Sequence, residues 1–515
     1  MPATRASSCR EGSGTVTEDQ VRGAGGDGEV SYGRRLTEIA AERPDDVDLI
    51  VVDRDGNERE VTWRELEARA NQIARALAAH GVGEGGVVGL ALPSCAEHVM
   101  VTVAIWKLGA TLLPLRHDLP GWEMDRMLAL AEPVALVSDQ HQAACPVLTR
   151  DDLAATRTLP DGPLPDAVSE CVNLVASSGS TGLPKLIVTP SRGVVADDPS
   201  LATTRGDVPM VVLVLSPLYH VNGFAFAAPA MLEGGRVVIL EKFDAARAVE
   251  LIERHQITFT VMVPTMLQRV ARLPDLRREQ LASLQRIVYG GARVPDWVVE
   301  RWLELVDPSI FVFSYGSSEK LGLVMMTGAE WAAHPGASGL PADVELSIRD
   351  DAGEPLPVGE VGEIFMRPTG ERRLFEYIGM PTPAPTADGF YTIGDVGWLD
   401  ADGYLYVTDR RKDLIVTGGA NVFPAEVENA LSEHPDVVDQ VVVGVPDDEW
   451  GQRVHAIVQV KDPHRPPEAD ALRAFCKERL ASYKVPKTFE VVERVPRTDA
   501  GKLNRTDLAN ERAAR

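Results

Sequence analysis

Short apolar runs alternate with helical patterns along most of this chain, and this alternation restricts the fold more than any other feature. The helical stretch HVMVTVAIWKLG lies between the runs VVGLAL and TLLPL, VALVS follows, and PMVVLVLSP, RVVIL and TFTVMVP continue the series. Strands that alternate with helices predict right-handed crossovers and a largely parallel sheet with helices on both faces. Ahead of these runs, Thr62 and Glu65 form a capping-box pattern for a helix that ends near Gly81. The chain is therefore predicted to be an α/β protein.

The length and the changes of texture along the chain indicate a large domain and a small one. At 515 residues the chain exceeds one ordinary domain. Residues 1–30 are rich in Ser and Gly and have little to bury, so we expect a disordered tail. From about Gly339 short strands and turns predict an antiparallel, barrel-like region. Near Asp409 an αβ pattern of about 100 residues begins, which predicts a large N-terminal domain over residues 31–409 and a small C-terminal α+β domain over residues 410–515.

Charge and cysteine usage exclude several classes of function. The formal net charge is −24, so the surface as a whole repels nucleic acid and anionic membranes. Five cysteines are scattered without a CxxC spacing, which indicates a reducing compartment without disulfides or a zinc site. No N-terminal signal segment and no apolar run of about 18 residues occurs, so we expect no membrane insertion and a cytoplasmic protein.

The stretch Cys171–Lys185, CVNLVASSGSTGLPK, carries the pattern of a phosphate-binding loop. Glycines in such a loop let backbone N–H groups turn inward, hydroxyl groups add donors for anionic oxygens, and a lysine adds a cation. The common phosphate loop places Gly before its Lys and Ser or Thr after it, whereas here Pro184 and Leu186 flank Lys185. The alternative is a solvated Ser/Gly linker. The candidate phosphate-binding residues are Ser177, Ser178, Gly179, Ser180, Thr181, Gly182 and Lys185.

Further candidate site residues follow other predicted strands. His220 comes after VVLVLS, at a strand end where ligands bind in open α/β sheets, although a lone His is more often structural. The run Gly290, Gly291, Ala292 offers a nearly flat surface on which an aromatic base could lie, or is an ordinary turn. The motif FSYGSSE supplies a ring, hydroxyl groups and a carboxylate that Mg²⁺ accepts, from Tyr315, Gly316, Ser317, Ser318 and Glu319.

One carboxylate and a basic cluster complete the set of candidate site residues that the residues alone suggest. YTIGD ends in Asp395, whose carboxylate could accept hydrogen bonds from the two hydroxyls of a ribose. DRRKD contains Arg410 and Lys412 at the predicted domain boundary. A cluster of basic residues is otherwise often only a solvated face.

These motifs, in this order, resemble those of the adenylate-forming, or AMP-binding, enzymes, most of all the acyl-CoA synthetases that activate fatty or bulky acids. SSGSTGLPK is similar to their phosphate loop, PLYHVNGF, YGSSE and YTIGD to three further motifs, and PRTDAGKLNR to their catalytic-lysine loop. The resemblance spans about Ser31 to Leu508 and implies a large domain of two α/β sheets and a barrel-like part, with a small mobile C-terminal domain. It departs from the usual pattern at Ser318, Lys320 and Ile393.

The resemblance also implies a role for each residue. The phosphate loop, Tyr315, Gly316, Ser317 and Ser318 would bind ATP and AMP, Asp395 and Arg410 the ribose or phosphate, and Glu319 would hold Mg²⁺. Gly291 and Ala292 would line the adenine pocket and open onto the acyl tunnel, and His220 would border the acyl and thiol channel. Lys502 would be the catalytic lysine between carboxylate and α-phosphate, where a fixed cation stabilises the charge of the transition state. His220 and Glu319 would be the other catalytic residues. The small domain would pivot near Lys412, and Gly418 and Gly419 would border the channel of the attacking thiol.

The implied activity is ATP-dependent conversion of a carboxylic acid to acyl-AMP, followed by thioester formation with CoA. Amino-acid-activating relatives usually carry an Asp shortly after the strand where this chain has PLYHVNGF, and that Asp holds the substrate ammonium. This chain has no such Asp, which favours a carboxylic acid without an amino group. The run Gly290, Gly291, Ala292 suits a long or bulky apolar acyl group, in lipid or secondary metabolism. The implied cofactors and partners are ATP, Mg²⁺, CoA and the acid, with a homodimer and a carrier protein as further candidates. Three alternatives stay open: an acyl-AMP ligase that loads a separate carrier protein, an enzyme of one half-reaction in natural-product biosynthesis, and a nucleotide-binding regulatory relative.

Overall fold

The computed structural model describes residues 29–178, 184–189, 191–195, 210–291, 293–370, 375–447, 449–498 and 503–513. The expectation of a disordered tail over residues 1–30 concerns residues that lie almost entirely outside these ranges. No helix in the described part of the chain is both long enough and apolar enough to cross a membrane.

The first part of the chain forms a small parallel sheet with its helices. The helices are α1 (Tyr32–Glu42), α2 (Trp63–Ala79), α3 (Ala96–Lys107), α4 (Gly121–Ala131) and α5 (Arg150–Ala155). The strands are β1 (Val47–Val52), β2 (Glu58–Thr62), β3 (Val87–Ala91), β4 (Thr111–Pro114), β5 (Ala135–Ser138) and β6 (Val147–Leu148). Strands β3 to β6 form a parallel sheet in the order β4-β3-β5-β6. The predicted start of α2 is confirmed by Thr62, which accepts a hydrogen bond from the N–H of Glu65 at 3.2 Å; the Glu65 carboxylate pairs with Arg59 instead of completing a capping box.

The second set of strand–helix units builds the large central sheet. The strands of this part of the chain are β7 (Leu174–Ser178), β8 (Pro184–Val188), β9 (Val211–Val214), β10 (Arg236–Leu240), β11 (Phe259–Met262), β12 (Arg286–Gly290), β13 (Phe311–Tyr315), β14 (Val324–Thr327) and β15 (Leu340–Pro341), of which β7 and β8 lie outside the large sheet. Its helices are α6 (Val221–Leu232), α7 (Ala245–Arg254), α8 (Pro264–Ala271), α9 (Asp296–Leu305) and α10 (Gly328–Trp331). The nine-stranded sheet has the order β15-β14-β13-β12-β11-β9-β10-β1-β2 and is parallel from β13 to β1. The direction of winding reverses between β9 and β11, and ligands of open α/β sheets bind outside the carboxyl ends of such strands.

The antiparallel region that the sequence predicts after Gly339 forms an open sheet rather than a closed barrel among the described residues. Its strands are β16 (Val344–Arg349), β17 (Gly362–Pro368), β18 (Glu376–Ile378), β19 (Tyr391–Leu399) and β20 (Leu405–Arg410). Four of them lie in the order β16-β17-β19-β20. The short strand β18 leaves this group and pairs with β8, which gives a three-stranded sheet β18-β8-β7.

A small C-terminal α+β domain follows. Its elements are β21 (Ile415–Thr417), β22 (Ala420–Val422), α11 (Pro424–Ser432), β23 (Val437–Asp447), β24 (Gly451–Val460), α12 (Ala469–Lys477), β25 (Thr488–Val492) and α13 (Arg505–Ala513). The strands run in the order β22-β21-β24-β23, and β25 pairs with β24 in parallel. The domain has its own hydrophobic core between sheet and helices.

The core explains why the strand sequences are continuously apolar. Along β1, Leu49 and Val51 belong to one buried cluster, and Ile50 and Val52 belong to another. Successive strand residues point to opposite faces, so the large sheet is covered on both sides. Helices therefore occupy both faces, and the site must lie at an edge of the sheet, where the loops are.

Candidate active site

The predicted phosphate loop joins two antiparallel strands. Its first serines, Ser177 and Ser178, are the last residues of β7, and Ser177 lies opposite Lys185 of β8. The residues Gly179, Ser180, Thr181 and Gly182 lie outside the described residues. Lys185 is 8 % exposed. The strand pair therefore holds this lysine at the exit of the loop.

Lys185 contacts the carboxylate that the sequence assigns to magnesium. Its Nζ lies 3.5 Å from Oε1 of Glu319, and both side chains are about nine-tenths buried. Burial lowers the pKa of Lys185, and the charge of Glu319 opposes that shift. Lys320, whose orientation the sequence leaves open, is exposed and has a left-handed φ of 54°. The loop lysine thus supplies a cation beside Glu319.

A third residue of this cluster, Tyr377, was missed by sequence reasoning. Its hydroxyl donates to Oε1 of Glu319 at 2.6 Å, and the Nζ of Lys185 lies 3.3 Å from the centroid of its ring. Tyr377 lies on β18, a three-residue strand. The sequence carries no signal that this strand pairs with β8, about 190 residues earlier in the chain.

A second cluster joins three residues that the sequence predicts separately. The hydroxyl of Tyr315 donates to Oδ2 of Asp395 at 2.8 Å, and Nε of Arg410 lies 3.4 Å from Oδ1. Asp395 and Arg410 face each other across β19 and β20. Burial raises the pKa of Asp395, although the charge of Arg410 and the hydrogen bond from Tyr315 act against it. The carboxylate is therefore held in place but poorly solvated, which favours a ligand that donates hydrogen bonds to it.

The glycine-rich surface lies at the end of β12 and faces α6. A side chain at Gly290 would place its Cβ 2.6 Å from the carbonyl oxygen of Ser314. Gly291 has a left-handed φ of 95°, and its Cβ position would face the amide of Asn222 at 4.0 Å. His220 is the N-cap residue of α6 and is half-buried. These residues leave a backbone surface between β12 and α6, whereas Ala292 lies outside the described residues.

The YGSSE turn fits a magnesium ion. Oγ of Ser317 is buried and has no hydrogen-bond partner among the described residues, and the Glu319 carboxylate lies two positions further on. Hydroxyl and carboxylate oxygens are ligands that Mg²⁺ accepts. Ser318 is half-buried, and Gly316 is exposed beside Leu323.

The residues expected to act in domain movement lie in the small domain and its connection. Lys412 is exposed within the single helical turn Arg411–Asp413, directly after β20. Gly418 and Gly419 both have left-handed φ angles, 57° and 80°, and a Cβ at Gly418 would meet the ring of Trp450 at 2.5 Å. Lys502 lies outside the described residues. Three residues further on, Arg505 pairs with Glu428 at 2.9 Å.

Comparison with known families agrees with this arrangement. The model of the AMP-binding enzyme family matches residues 36–370, and that of the AMP-binding enzyme C-terminal domain matches residues 426–502. The chain belongs to the AMP-binding enzyme family, and it is of the type that forms acyl adenylates. The predicted fold class and family are confirmed.

The individual relatives are ligases that join carboxylic acids to CoA or to an acyl-carrier protein. A feruloyl-CoA synthase from Amycolatopsis is 34 % identical over 86 % of this chain and 92 % of its own length. A fatty acid–[acyl-carrier-protein] ligase, ScoC, from Streptomyces coeruleorubidus is 33 % identical over 87 % of this chain and 91 % of its own length. Solved structures of o-succinylbenzoate CoA synthetase from Bacillus subtilis, with the acyl-adenylate OSB-AMP and with ATP and Mg²⁺, are 28 % identical, cover 93 % of this chain and 98 % or 99 % of theirs, and have TM-scores of 0.76.

Proposed function

We propose that this enzyme activates a non-amino carboxylic acid with ATP and transfers the acyl group to CoA. In the first half-reaction a carboxylate oxygen attacks the α-phosphorus of ATP, which yields acyl-AMP and pyrophosphate. In the second half-reaction the CoA thiolate attacks the acyl carbon, and AMP leaves. The observation that carries the proposal is the pair of clusters, Lys185 with Glu319 and Asp395 with Arg410, together with the glycine surface between β12 and α6.

The described residues suit the first half-reaction. Lys185 supplies a nearly buried cation where the phosphates enter, and Asp395 supplies acceptors for ribose hydroxyls. Magnesium, held through Glu319, would neutralise phosphate charge. Attack of a carboxylate on a phosphate brings two anions together, so a further fixed cation stabilises the transition state, and we assign that role to Lys502.

We infer that the acid carries an aromatic ring. Asn222 and Phe226 lie one turn apart on α6, and Asn222 faces Gly291. The ring of Phe226 is half-buried and packs against Phe259 with 5.1 Å between centroids. One helical turn is about 5.4 Å long, so Phe226 supplies an aromatic side chain about one turn from the glycine surface. Aromatic rings pack well against each other, and feruloyl-CoA synthase is among the relatives.

The surface beside the predicted thiol channel suits a nucleotide-bearing acceptor such as CoA. Trp450 packs against Gly418 and is 41 % exposed. Nζ of Lys487 lies 3.6 Å from the centroid of its ring. An exposed ring offers a stacking face for adenine, and a lysine beside it offers a charge for phosphate. A carrier protein, as the name of the ScoC relative implies for that enzyme, is the second candidate acceptor.

We place the domain boundary at residues 409–410, with the pivot near Lys412. The turn Arg411–Asp413 connects β20 with β21, and its Lys412 is exposed. The family models leave the same region between them, since one ends at residue 370 and the other begins at residue 426.

The experiment that tests the function measures pyrophosphate release with MgATP across aryl, arylpropenoic, medium-chain and long-chain fatty acids. Each acid is assayed alone, with CoA and with a pantetheinylated carrier protein, and thioesters are identified by mass. Release with aryl acids that CoA enhances supports the proposal. Release with long-chain acids only would refute the aromatic substrate class, and thioester formation on the carrier alone would refute CoA as acceptor.

A tryptophan variant tests the acceptor surface separately. Trp450→Ala should raise the KM for CoA about tenfold, as expected for loss of a stacking contact of 1–3 kcal/mol, and leave pyrophosphate release unchanged. The matched control is Trp122→Ala, because Trp122 is also exposed, at 61 %, but lies at the start of α4. Equal KM values for the two variants would show that Trp450 does not contact the nucleotide of CoA.

A further inference from the structure

The edge strand β18 brings a side chain into the site from a part of the chain that no motif marks. In the antiparallel pair β18–β8, Tyr377 lies opposite Ile187. Directly opposite residues share a face of the sheet, and so do residues two apart on one strand. Tyr377 therefore projects on the same face as Lys185. The register of three residue pairs determines this contact.

The ring and the hydroxyl of Tyr377 make separate contacts with two charged groups. The ring faces the ammonium of Lys185 at 3.3 Å, and the hydroxyl donates to Oε1 of Glu319 at 2.6 Å. Lys185 approaches the same oxygen at 3.5 Å. Oε2 of Glu319 accepts no hydrogen bond from a described residue. Both contacts thus converge on one carboxylate oxygen and leave the other for an incoming cation.

We propose that Tyr377 is a positioning residue that holds Lys185 and Glu319 in the arrangement that MgATP requires. Two nearly buried charges keep one geometry only when further contacts satisfy them, and Tyr377 supplies one such contact to each. When nucleotide binds, Lys185 turns to phosphate and Glu319 to the metal. The tyrosine hydroxyl still orients the carboxylate, so the metal ligand does not have to be reordered at that moment. This inference rests on the proposed function and adds a residue to its first half-reaction.

The backbone around Tyr377 is fixed independently of the site. The N–H of Tyr377 donates to Oγ1 of Thr382 at 2.9 Å, and the ring packs against Phe375 at 5.1 Å between centroids. A change of the side chain to phenylalanine keeps the ring, its packing and its face toward Lys185. It removes only the hydrogen bond to Glu319. Tyr377→Phe is therefore a specific probe of carboxylate orientation.

The test measures MgATP affinity and the two half-reactions in the full-length enzyme. Tyr377→Phe should weaken MgATP binding in calorimetry about tenfold, which corresponds to loss of one hydrogen bond to a charged group. It should leave ATP binding in EDTA and thioester formation from supplied acyl-AMP unchanged. Tyr377→Leu removes the ring as well and should weaken ATP binding in EDTA too. The control is Tyr391→Phe, because Tyr391 lies in the same buried cluster and no side-chain hydrogen bond is described for it.

A double variant separates positioning from general packing. If the hydroxyl acts through the carboxylate, Tyr377→Phe should cost nothing further in the background of Glu319→Ala, because that variant has already removed the acceptor of its hydrogen bond. Additive losses, or MgATP affinity of Tyr377→Phe within twofold of the wild type, would overturn the proposal. Failure of the proposed function would give a different result from either of these outcomes. The wild type would then release no pyrophosphate, while calorimetry would still measure the effect of Tyr377→Phe on MgATP affinity.

Discussion

Arg272 of the large domain ties the small domain to it, and its removal should release that domain. Its guanidinium donates to the carbonyl oxygens of Val438 and Ser432 at 2.8 and 3.0 Å, and lies 5.2 Å from the ring centroid of Trp297. Nε1 of Trp297 donates to Oγ of Ser432 at 3.2 Å. Arg272 directly follows α8, so a few side chains of the large domain hold the end of α11 and the start of β23.

The expected loss follows from these contacts. Two hydrogen bonds from a charged donor to backbone carbonyls contribute about 1.5 kcal/mol each at the lower end of their range, which gives about 3 kcal/mol for Arg272→Ala. That free energy corresponds to roughly a hundredfold change in the population of released small domain. Arg272→Lys keeps the charge but cannot span both carbonyls. Its population of released small domain should therefore lie between those of the wild type and Arg272→Ala.

The assay is limited trypsin digestion after the exposed basic residues Arg410, Arg411 and Lys412 at the proposed pivot. Arg272→Ala should speed this cleavage up to about a hundredfold, because cleavage requires the connection to open. The control is Arg269→Ala, since Arg269 lies one turn earlier on α8, is exposed and has no described partner. Equal cleavage rates in wild type, Arg272→Ala and the control would refute the reasoning.

Two further variants follow from the site. Burial raises the pKa of Asp395, so its ionisation costs the folded state free energy as pH rises from the unfolded carboxyl value near 4 toward the higher folded value. Asp395→Asn should therefore raise the Tm of the ligand-free protein at pH 7, and this gain in Tm should disappear below about pH 4. The same variant should weaken AMP binding in calorimetry. A lower Tm at pH 7 would contradict this reasoning. Lys502→Ala should lower acyl-AMP formation at least ~10²-fold, the typical cost of one electrostatic contact, but spare thioester formation from supplied acyl-AMP. Equal loss of both steps would contradict the role of Lys502.

The parts of the fold that local patterns predict are those where burial leaves a clear signal. Strand β1 alternates between two buried clusters, so its sequence had to be apolar throughout, and the same holds for the other central strands. Helix α2 begins directly after Thr62, as the pattern predicts, and ends at Ala79, close to Gly81. The antiparallel region was predicted as barrel-like, yet β16, β17, β19 and β20 form an open sheet. Closure depends on strand order and register, which turn spacing does not carry.

The site divides in the same way. Residues within one motif, such as Tyr315 and Glu319, can be found from the sequence because the chemistry of phosphate and metal restricts residue types over a short span. The pairing of Asp395 with Arg410 joins two motifs, and resemblance to a family predicts both residues but not their contact across β19 and β20. Tyr377 lies neither within one of these motifs nor in a pair that joins two of them.

Tyr377 illustrates what local reasoning omits in a chain built from several sheets. Its importance comes from a register between β18 and β8, and an edge strand of three residues has too little sequence to specify a partner. The same holds for Arg272 and Trp297, whose partners are backbone carbonyls and a serine of another domain. Side chains that act through contacts between distant segments are subject to packing, not to the chemistry of a ligand, and so leave no motif. The candidates for tuning this enzyme are therefore at those contacts rather than in the motifs themselves.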